Sequence, residues 1–500
     1  MNLILTALFI CVSLLPVVPV RAQRSTPCCE KVPVFKAYDA VWGKGSLGVW
    51  LGADAAYSVV LKESAPEGNI TNDLASDISS AIGGKIGEKK VLWVFGDTFI
   101  GARGAKSRVG AKMVGNTIGI ADCSGNITYN WRGVSPNSSA FFPDPGPDVR
   151  YWPNQPFMAG RILYVPLLVV NKTYTGLGFM ISETRIAVIN NALDAPPNKW
   201  RIRILPLLKV KDMSGATAAV VKGKYVYLFN ALHNDVNLAR LPMQALSKSP
   251  SGVRPYLEYL NKTNEWVSGF DAGKAKYLGL HMNSGGTLGF NSTRGFWTAT
   301  YAESSSYPFK NISMASAMDL AGPWSEPRAV FTLPRHGTVV CYAGYGHRVY
   351  SSRPDEQLSV TYNCNDTKWG QLLRNMGVYF PRWTTLSLNS SPTPPAFEDA
   401  IFAPPDFKDV IFALPAPAAA VKTETPAKVE VTGAAAVQNK TGLAVQVPAI
   451  MLNEYLSPAA GNKAAPAAAV KTETPAKAEV NFYGGQKQAV SGAQASPLKK

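Results

Sequence analysis

The sequence predicts an all-β chain, with a five-bladed β-propeller followed by a disordered low-complexity tail. A short β-rich segment recurs five times, a tryptophan accompanies each recurrence, and no helical period persists between them. The composition agrees, because 42 Gly and 37 Pro in 500 residues favour turns over long helices. It also excludes a coiled coil, a collagen and a wholly disordered chain.

The recurring segment is a polar turn followed by aromatic and β-branched residues. Aligned on one position of each copy, the steps are 71, 63, 70 and 63 residues, at Trp93, Tyr164, Tyr227, Trp297 and Val360. A second marker has steps of 69, 66, 58 and 59 residues, at Trp131, Trp200, Trp266, Trp324 and Trp383. Two markers with one period indicate a repeated four-stranded blade, whereas a pair of β-sandwiches would not require the same step. We interpret the second tryptophans as packing residues at blade seams rather than as sugar platforms.

The net charge of +16 lies almost entirely in the first 395 residues, because residues 396–500 contain 10 Lys and 9 acidic residues. A basic body favours an anionic or hydroxyl-rich partner, or serves only solubility. We expect no nucleic-acid binding, because there is no run of Lys and Arg and no recognised binding motif.

The N-terminus resembles a secretory signal peptide. An apolar run, 3–20, ends before Ala22, which suits cleavage after residue 22. A membrane anchor is the alternative, but the run is short and contains Pro16 and Pro19. We therefore expect a secreted, extracellular protein without a membrane span.

Ten Asn-x-Ser/Thr sequons support that compartment, and each must lie on a surface loop to carry a glycan. They are at Asn69, Asn126, Asn137, Asn171, Asn261, Asn291, Asn311, Asn365, Asn389 and Asn439.

Five cysteines remain after removal of the signal peptide, an odd number that leaves one free or intermolecular. Cys341 and Cys364 flank a predicted hairpin, and we predict a disulfide between them. The cysteine and histidine spacing fits no metal site, so we expect no metal and no cofactor, with a structural calcium left open.

The predicted domains are the signal peptide, 1–22, the propeller, 23–390, and the tail, 391–500. The tail contains two internal repeats. Residues 397–403 recur as 407–413, and residues 417–431 recur as 466–480. Its Ala, Pro, Lys and Thr cannot bury enough apolar surface to offset chain entropy, which predicts disorder. Contact with a cell wall or matrix is one role that such an arm can have.

Two carboxylates stand out among apolar β residues. Asp54 lies within 51–60, an inner-strand candidate, and Asp97 ends the run 92–97. A buried acid is costly unless it is paired or functional, and turn capping is the structural alternative for each. Paired carboxylates across a sugar hydrolyse glycosidic bonds, one as acid and one as nucleophile or base, and we therefore predict Asp54 and Asp97 as catalytic.

Other residues are candidates for substrate binding. Trp152 offers a stacking face, and Asn154 follows it; Asn283, Arg335 and His347 are near predicted inner strands and can hydrogen-bond hydroxyls. For each of them a satisfied structural role is the alternative.

The segments 52–58 and 93–101 resemble the opening of a five-bladed β-propeller family formerly described as a domain of unknown function (DUF4185-like), some of whose members are endo-D-arabinanases. The resemblance continues through 238–242, 322–325, 342–347 and 358–363 and spans roughly residues 45–388. It implies a propeller with Asp54 and Asp97 as the acid pair. This chain departs from the family at Ala55, where glycine is usual, and at Arg348, where proline is usual.

Two functions follow from these observations. The first is a secreted glycoside hydrolase that cleaves an arabinan-type furanoside polysaccharide internally. The second is a non-catalytic carbohydrate-binding or matrix glycoprotein, favoured by the basic body, the sequons and the tail. A protein-binding propeller is a more remote alternative.

Overall fold

The computed structural model describes residues 29, 31–42, 45–63, 90–174, 178–232, 235–248, 253–282, 285–291, 294–303, 309–353 and 356–390. The predicted signal peptide, the predicted tail, Asn69, Asn283 and Asn439 lie outside the described residues.

The described chain is nearly all-β, which confirms the predicted class. In chain order its strands are β1 (Tyr38–Trp42), β2 (Gly45–Ala53), β3 (Tyr57–Val60), β4 (Lys90–Phe95), β5 (Thr98–Gly101), β6 (Lys112–Val114), β7 (Thr117–Asp122), β8 (Ile127–Asn130), β9 (Val149–Pro153), β10 (Phe157–Ala159), β11 (Ile162–Lys172), β12 (Phe179–Ile189), β13 (Ile202–Leu208), β14 (Ser214–Lys222), β15 (Tyr225–Leu232), β16 (Asp235–Pro242), β17 (Glu258–Leu260), β18 (Trp266–Ser268), β19 (Gly286–Asn291), β20 (Phe296–Ala302), β21 (Asn311–Ala317), β22 (Arg328–Thr332), β23 (Val339–Gly346), β24 (Gln357–Asp366) and β25 (Arg382–Ser387).

Helices are short. The α-helices of the described residues are α1 (Met243–Lys248) and α2 (Trp369–Arg374), and 3₁₀ turns occur at Pro197–Lys199, Arg254–Tyr256, Arg348–Tyr350 and Leu388–Ser390. Neither α-helix has the length and apolar character that a bilayer crossing requires.

The described strands form six antiparallel sheets. Sheet 1 has the order β1-β2-β5-β6 and sheet 2 the order β3-β4-β7-β8. Sheet 3 is β10-β11-β12-β13, with β9 also paired to β11, and sheet 4 is β14-β15-β16-β17-β18. Sheet 5 is β19-β20-β21-β22 and sheet 6 is β23-β24-β25.

The five β-rich segments of the repeat occupy equivalent places. They fall on β4, β11, β15, β20 and β24, each of which is the second strand in the order of its sheet. These strands are paired on both sides and buried on both faces; in β4, for example, every residue after Lys90 is buried. Burial on both faces explains why the segments are continuous apolar runs rather than alternating ones.

Sheets 2 to 6 contact one another in chain order. β3 of sheet 2 contacts β10, strands of sheet 3 contact β14, β14 contacts β19, and β19 contacts β23 of sheet 6. Sheet 6 in turn contacts sheet 2, where the rings of Tyr57 and Tyr345 lie 4.1 Å apart. The first strand of each of these sheets therefore lies beside the first strand of the next.

The second set of tryptophans packs against hydrophobic clusters. Trp131 and Trp200 are buried, and Trp266, Trp324 and Trp383 are half-buried at the edges of such clusters. Trp383 also donates its indole N–H to the carbonyl of Pro33 at 2.9 Å, which attaches the N-terminal segment to sheet 6.

Two disulfides link described residues. Cys341 and Cys364 face each other on β23 and β24 and are bonded, which confirms the predicted pair. Cys29 is bonded to Cys123, so the segment before β1 is attached to the residue that follows β7.

Two of the sequons do not meet the condition of surface exposure that a glycan requires. Asn291 and Asn365 lie in strands β19 and β24 and are 0% and 2% exposed. Exposed or half-buried positions are occupied by Asn126, Asn137, Asn171, Asn261, Asn311 and Asn389.

Candidate active site

Asp54 and Asp97 lie where the chain crosses twice between the same two sheets. Asp54 follows β2 of sheet 1 and precedes β3 of sheet 2, and Asp97 separates β4 of sheet 2 from β5 of sheet 1. The sequence predicts Asp54 within an inner strand, but it lies in the crossover between Ala53, the end of β2, and Tyr57, the start of β3. The two crossovers are joined, because the amide of Asp54 donates to the carbonyl of Asp97 and the amide of Gly96 donates to the carbonyl of Asp54 at 2.9 Å.

The local sequence suits these tight crossovers. A Cβ at Gly96 would lie 2.5 Å from Oδ1 of Asp54, so a side chain at position 96 would displace that carboxyl. Ala55 has φ of 51°, in the left-handed region where glycine is preferred. Thr98 donates its hydroxyl to the carbonyl of Gly96 at 2.8 Å and closes the second crossover.

The carboxyl of Asp54 is surrounded by tyrosines. The hydroxyl of Tyr342, on β23, donates to Oδ2 at 3.0 Å, and the nearby hydroxyl of Tyr379 also favours the ionised carboxyl. Burial, and then the nearby charge of Asp97, raise the pKa of Asp54 to about 7, while the tyrosine hydrogen bonds oppose the rise. Asp54 therefore retains a proton to near neutrality, which an ordinary aspartic acid does not.

The carboxyl of Asp97, 8% exposed, is held by two donors from one strand. Nη1 of Arg150 is 3.3 Å and Nε1 of Trp152 is 3.1 Å from Oδ1. These residues are two apart in β9, and alternation along a strand places them on one face. Burial raises the pKa of Asp97, whereas the charge of Arg150 and the indole N–H favour the ionised form.

Asp144 is a third carboxyl of this region, and the sequence reasoning missed it. Its Oδ1 accepts the amide of Tyr151 at 3.2 Å. Burial raises its pKa to about 6, with smaller influences from the charges of Arg150 and Asp97. Asp144 stands between two prolines, a pattern that predicts only a turn, so no local signal pointed to it.

The two tyrosines were also missed as site residues. Tyr342 belongs to a segment quoted for the family resemblance, which was its only signal, and Tyr379 belongs to no motif. The hydroxyl of Tyr379 donates to the carbonyl of Asp97 at 3.0 Å. Tyr342 and Tyr379 are more than 240 residues from Asp97 in sequence, so only the fold brings them to it.

Of the residues predicted to bind substrate, only some lie near the two carboxyls in the structure. Trp152 contacts Asp97 and forms an edge-on contact with Phe179 at 4.8 Å. Asn154 is 5% exposed, and its amide donates to the carbonyl of Gly215 at 2.8 Å, which connects sheet 3 to sheet 4. Arg335 is exposed in the connection between β22 and β23.

His347 is a packing residue at the junction of sheets 2 and 6. Both ring nitrogens are engaged at 2.7 Å, Nδ1 by Ser58 and Nε2 by Thr361, and the residue is 2% exposed. The ring packs against Trp93 at 4.6 Å. Burial lowers its pKa to about 3, so the imidazole is neutral. With both nitrogens occupied, His347 has no donor or acceptor left for a sugar hydroxyl.

Several solved structures are similar to this chain. A putative hydrolase from Bacteroides ovatus has 14% identity and a TM-score of 0.49, over 71% of this chain and 94% of that one. An exo-β-1,3-galactanase from Phanerochaete chrysosporium has 10% identity and a TM-score of 0.38, over 71% and 64%. An exo-β-1,3-galactanase from Clostridium thermocellum has 13% identity and a TM-score of 0.33, over 60% and 56%. This chain thus spans less than two thirds of either galactanase, and likenesses at this level assign no activity to it.

No curated protein matches the sequence. A family profile matches residues 75–387, and its description is a domain of unknown function, DUF5005. The likeness to the family of endo-D-arabinanases is not confirmed by this match. Because the matched range is more than half of the 500 residues, the chain belongs to the DUF5005 family.

Proposed function

We propose that this protein is a secreted glycoside hydrolase in which Asp54 is the general acid and Asp97 the base or nucleophile. The observation that carries the proposal is the contrast between the environments of two adjoining carboxyls. Asp54 has a pKa of about 7 and Asp97 has a guanidinium beside it. Glycoside hydrolysis needs one protonated and one ionised carboxyl, and we assign these states to Asp54 and Asp97, respectively.

In the proposed reaction, Asp54 donates its proton to the leaving oxygen as the glycosidic C–O bond breaks. The Asp97 carboxylate either attacks the anomeric carbon or removes a proton from the attacking water. Arg150 and Trp152 orient Asp97 and favour its ionised form against the burial that raises its pKa, and Tyr342 orients Asp54. A separation of about 5–5.5 Å between the carboxyls corresponds to retention, and one of about 6.5–9.5 Å to inversion.

The proposed scaffold is a five-bladed propeller made by sheets 2 to 6. The contacts of each sheet with the next, and of sheet 6 with sheet 2, support it. The Asp54 crossover enters sheet 2 and the Asp97 crossover leaves it, and β23 of sheet 6 provides Tyr342. Asp54 thus faces the last blade, whereas Asp97 faces β9 of sheet 3, the second blade.

The proposed substrate is an arabinan-type furanoside polysaccharide, cleaved internally. The resemblance of the two crossover segments to those of endo-D-arabinanases supports this choice. Trp152, half-buried beside Asp97, offers an aromatic face to a sugar ring. Secretion is supported by the apolar N-terminal run and by two disulfides, which form in oxidising compartments.

The test measures the release of reducing ends from arabinan-type and other polysaccharides by the purified secreted chain. Asp54→Asn and Asp97→Asn should each lower turnover by about 10³-fold or more, since removal of a catalytic group typically has effects of about 10²–10⁴-fold. Asp148→Asn is the matched control, because Asp148 is exposed and its nearest cation is Lys172 at 3.9 Å.

Unchanged product release by both catalytic-site variants would refute the proposal. Glycan retention by the wild-type protein without any turnover would instead support the carbohydrate-binding alternative.

A further inference from the structure

Arg108 is a fully buried guanidinium whose hydrogen-bond partners are backbone carbonyls. It lies between β5 and β6 and is 0% exposed. Nε donates to the carbonyl of Leu51 at 2.8 Å, and Nη1 donates to the carbonyls of Leu372 and Asn375, each at 2.9 Å. Nη2 donates to the carbonyl of Val378. Four of its five N–H groups therefore engage main-chain oxygens.

The charge of Arg108 is stabilised without an acidic partner. Among the residues that the structure describes, no carboxylate forms an ion pair with it, and three rings surround it, those of Phe99, Tyr379 and Phe380, at 5.7, 5.6 and 5.3 Å. Burial lowers its pKa to about 10, so it remains a cation at neutral pH. An unpaired buried cation is unfavourable, which indicates that Arg108 has a role other than filling space in the core.

The carbonyls that Arg108 engages belong to two separate segments. Leu51 is in β2, three residues before Asp54, whereas the other three carbonyls belong to 372–378, from the end of α2 to the residue before Tyr379. The segments approach closely, since a Cβ at Gly52 would lie 2.2 Å from the carbonyl oxygen of Tyr379. Tyr379 has φ of 64°, a conformation unusual for a bulky residue, and contacts must hold it there.

We propose that Arg108 is a positioning residue that fastens the segment 372–379 to β2 and thereby holds the hydroxyl of Tyr379 against Asp54 and Asp97. This inference rests on the proposed function for its catalytic meaning. Arg108 does not contact the carboxyls of Asp54 and Asp97. It hydrogen-bonds backbone carbonyls of β2 and of the segment 372–378. A lysine cannot replace it, because one ammonium group cannot reach carbonyls in the fork geometry of a guanidinium.

The experiment follows the titration of Asp54 by NMR in full-length protein with ¹³C-labelled aspartate carboxyls. Within the described part of the chain, the titratable groups that interact with Asp54 include Asp97 and the hydroxyls of Tyr342, Tyr345 and Tyr379. Tyr379→Phe removes a neighbouring hydroxyl that favours the ionised carboxyl, so the pKa of Asp54 should rise above about 7. Arg108→Met and the milder Arg108→Lys should produce an upward shift in the same direction, and the shift in Arg108→Met/Tyr379→Phe should equal that in Tyr379→Phe alone.

Arg240→Met is the control, since Arg240 also stacks on two rings, Tyr225 and Trp266, but lies in sheet 4. It should leave the Asp54 titration unchanged. An unchanged Asp54 pKa in folded Arg108→Lys, or additive shifts in the double variant, would overturn the positioning role. Because the readout does not need turnover, this result is distinguishable from a failure of the proposed hydrolase activity.

Discussion

The amide of Asp54 donates a hydrogen bond to the carbonyl of Asp97, across two chain crossovers between the same pair of sheets. The N–O distance is 3.4 Å, and the returning bond from Gly96 to Asp54 makes the contact reciprocal. This pairing holds the backbones of the two aspartates together although 42 residues separate them, 26 of which lie outside the described part of the chain. The relative position of the two acids is thus a property of the backbone, and substitutions of their side chains should leave the crossovers intact.

Asp54 should make the protein less stable as the pH rises. Its pKa of about 7 in the folded protein is above its ordinary value of 3.8, so the folded state binds the proton more tightly. The stabilising contribution is complete below pH 3.8 and is lost as the pH rises towards 7, by at most about 1.4 kcal/mol per pH unit. Urea unfolding of wild type and Asp54→Asn between pH 4 and 8 measures it as a pH-dependent difference in the free energy of unfolding. A difference that does not change with pH would contradict this.

His347 should have the opposite effect. Its pKa of about 3 in the folded protein is below its ordinary value of 6.5, so the unfolded state binds the proton more tightly. Stability should fall as the pH decreases from 6.5 towards 3, again by at most about 1.4 kcal/mol per unit. His347→Gln should remove this slope, and the exposed His336→Gln serves as its control. Equal slopes in wild type and His347→Gln would show that folding does not lower the pKa of this histidine.

Trp152→Phe should make the ionised form of Asp97 less favourable while preserving the aromatic contact with Phe179. The variant deletes the indole N–H 3.1 Å from the carboxylate, so the pKa of Asp97 should rise further. We expect kcat/KM to fall about tenfold, equivalent to about 1.4 kcal/mol, which is in the range of hydrogen bonds to charged groups. The acidic limb of the pH profile should move to higher pH. Trp266→Phe, in sheet 4, should change neither quantity, and an unmoved acidic limb in Trp152→Phe would exclude the proposed role of the indole.

Loss of the disulfide between Cys341 and Cys364 should destabilise sheet 6. The bond closes a loop of 23 residues, for which chain entropy suggests about 3 kcal/mol. Cys341 precedes Tyr342 on β23, so Cys341→Ala/Cys364→Ala should also weaken the hydrogen bond from the Tyr342 hydroxyl to Asp54. Denaturant unfolding of the double variant measures the first effect and the Asp54 titration the second. A midpoint equal to that of wild type would show that the paired strands need no covalent link.

The repeat and the acid pair could be predicted because each leaves a local signal. A buried strand is a run of apolar and β-branched residues wherever it occurs, and Asp97 is conspicuous because it ends such a run. Asp144, Arg108 and Tyr379 leave no such signal, since their surroundings come from distant segments. The sequons at Asn291 and Asn365 show that a local signal can also mislead. Both match the three-residue motif, but the fold buries the asparagine.

The pH dependence of kcat/KM tests the acid pair most directly. The substrates are an arabinan-type polymer and an arabinofuranoside with a dinitrophenyl leaving group, which needs little protonation. Wild-type activity on the polymer should decline above about pH 7, where Asp54 loses its proton. In Asp54→Asn, hydrolysis of the polymer should be lost while that of the dinitrophenyl substrate persists without the alkaline decline. An alkaline decline that is unchanged in Asp54→Asn would contradict the assignment of Asp54 as the acid.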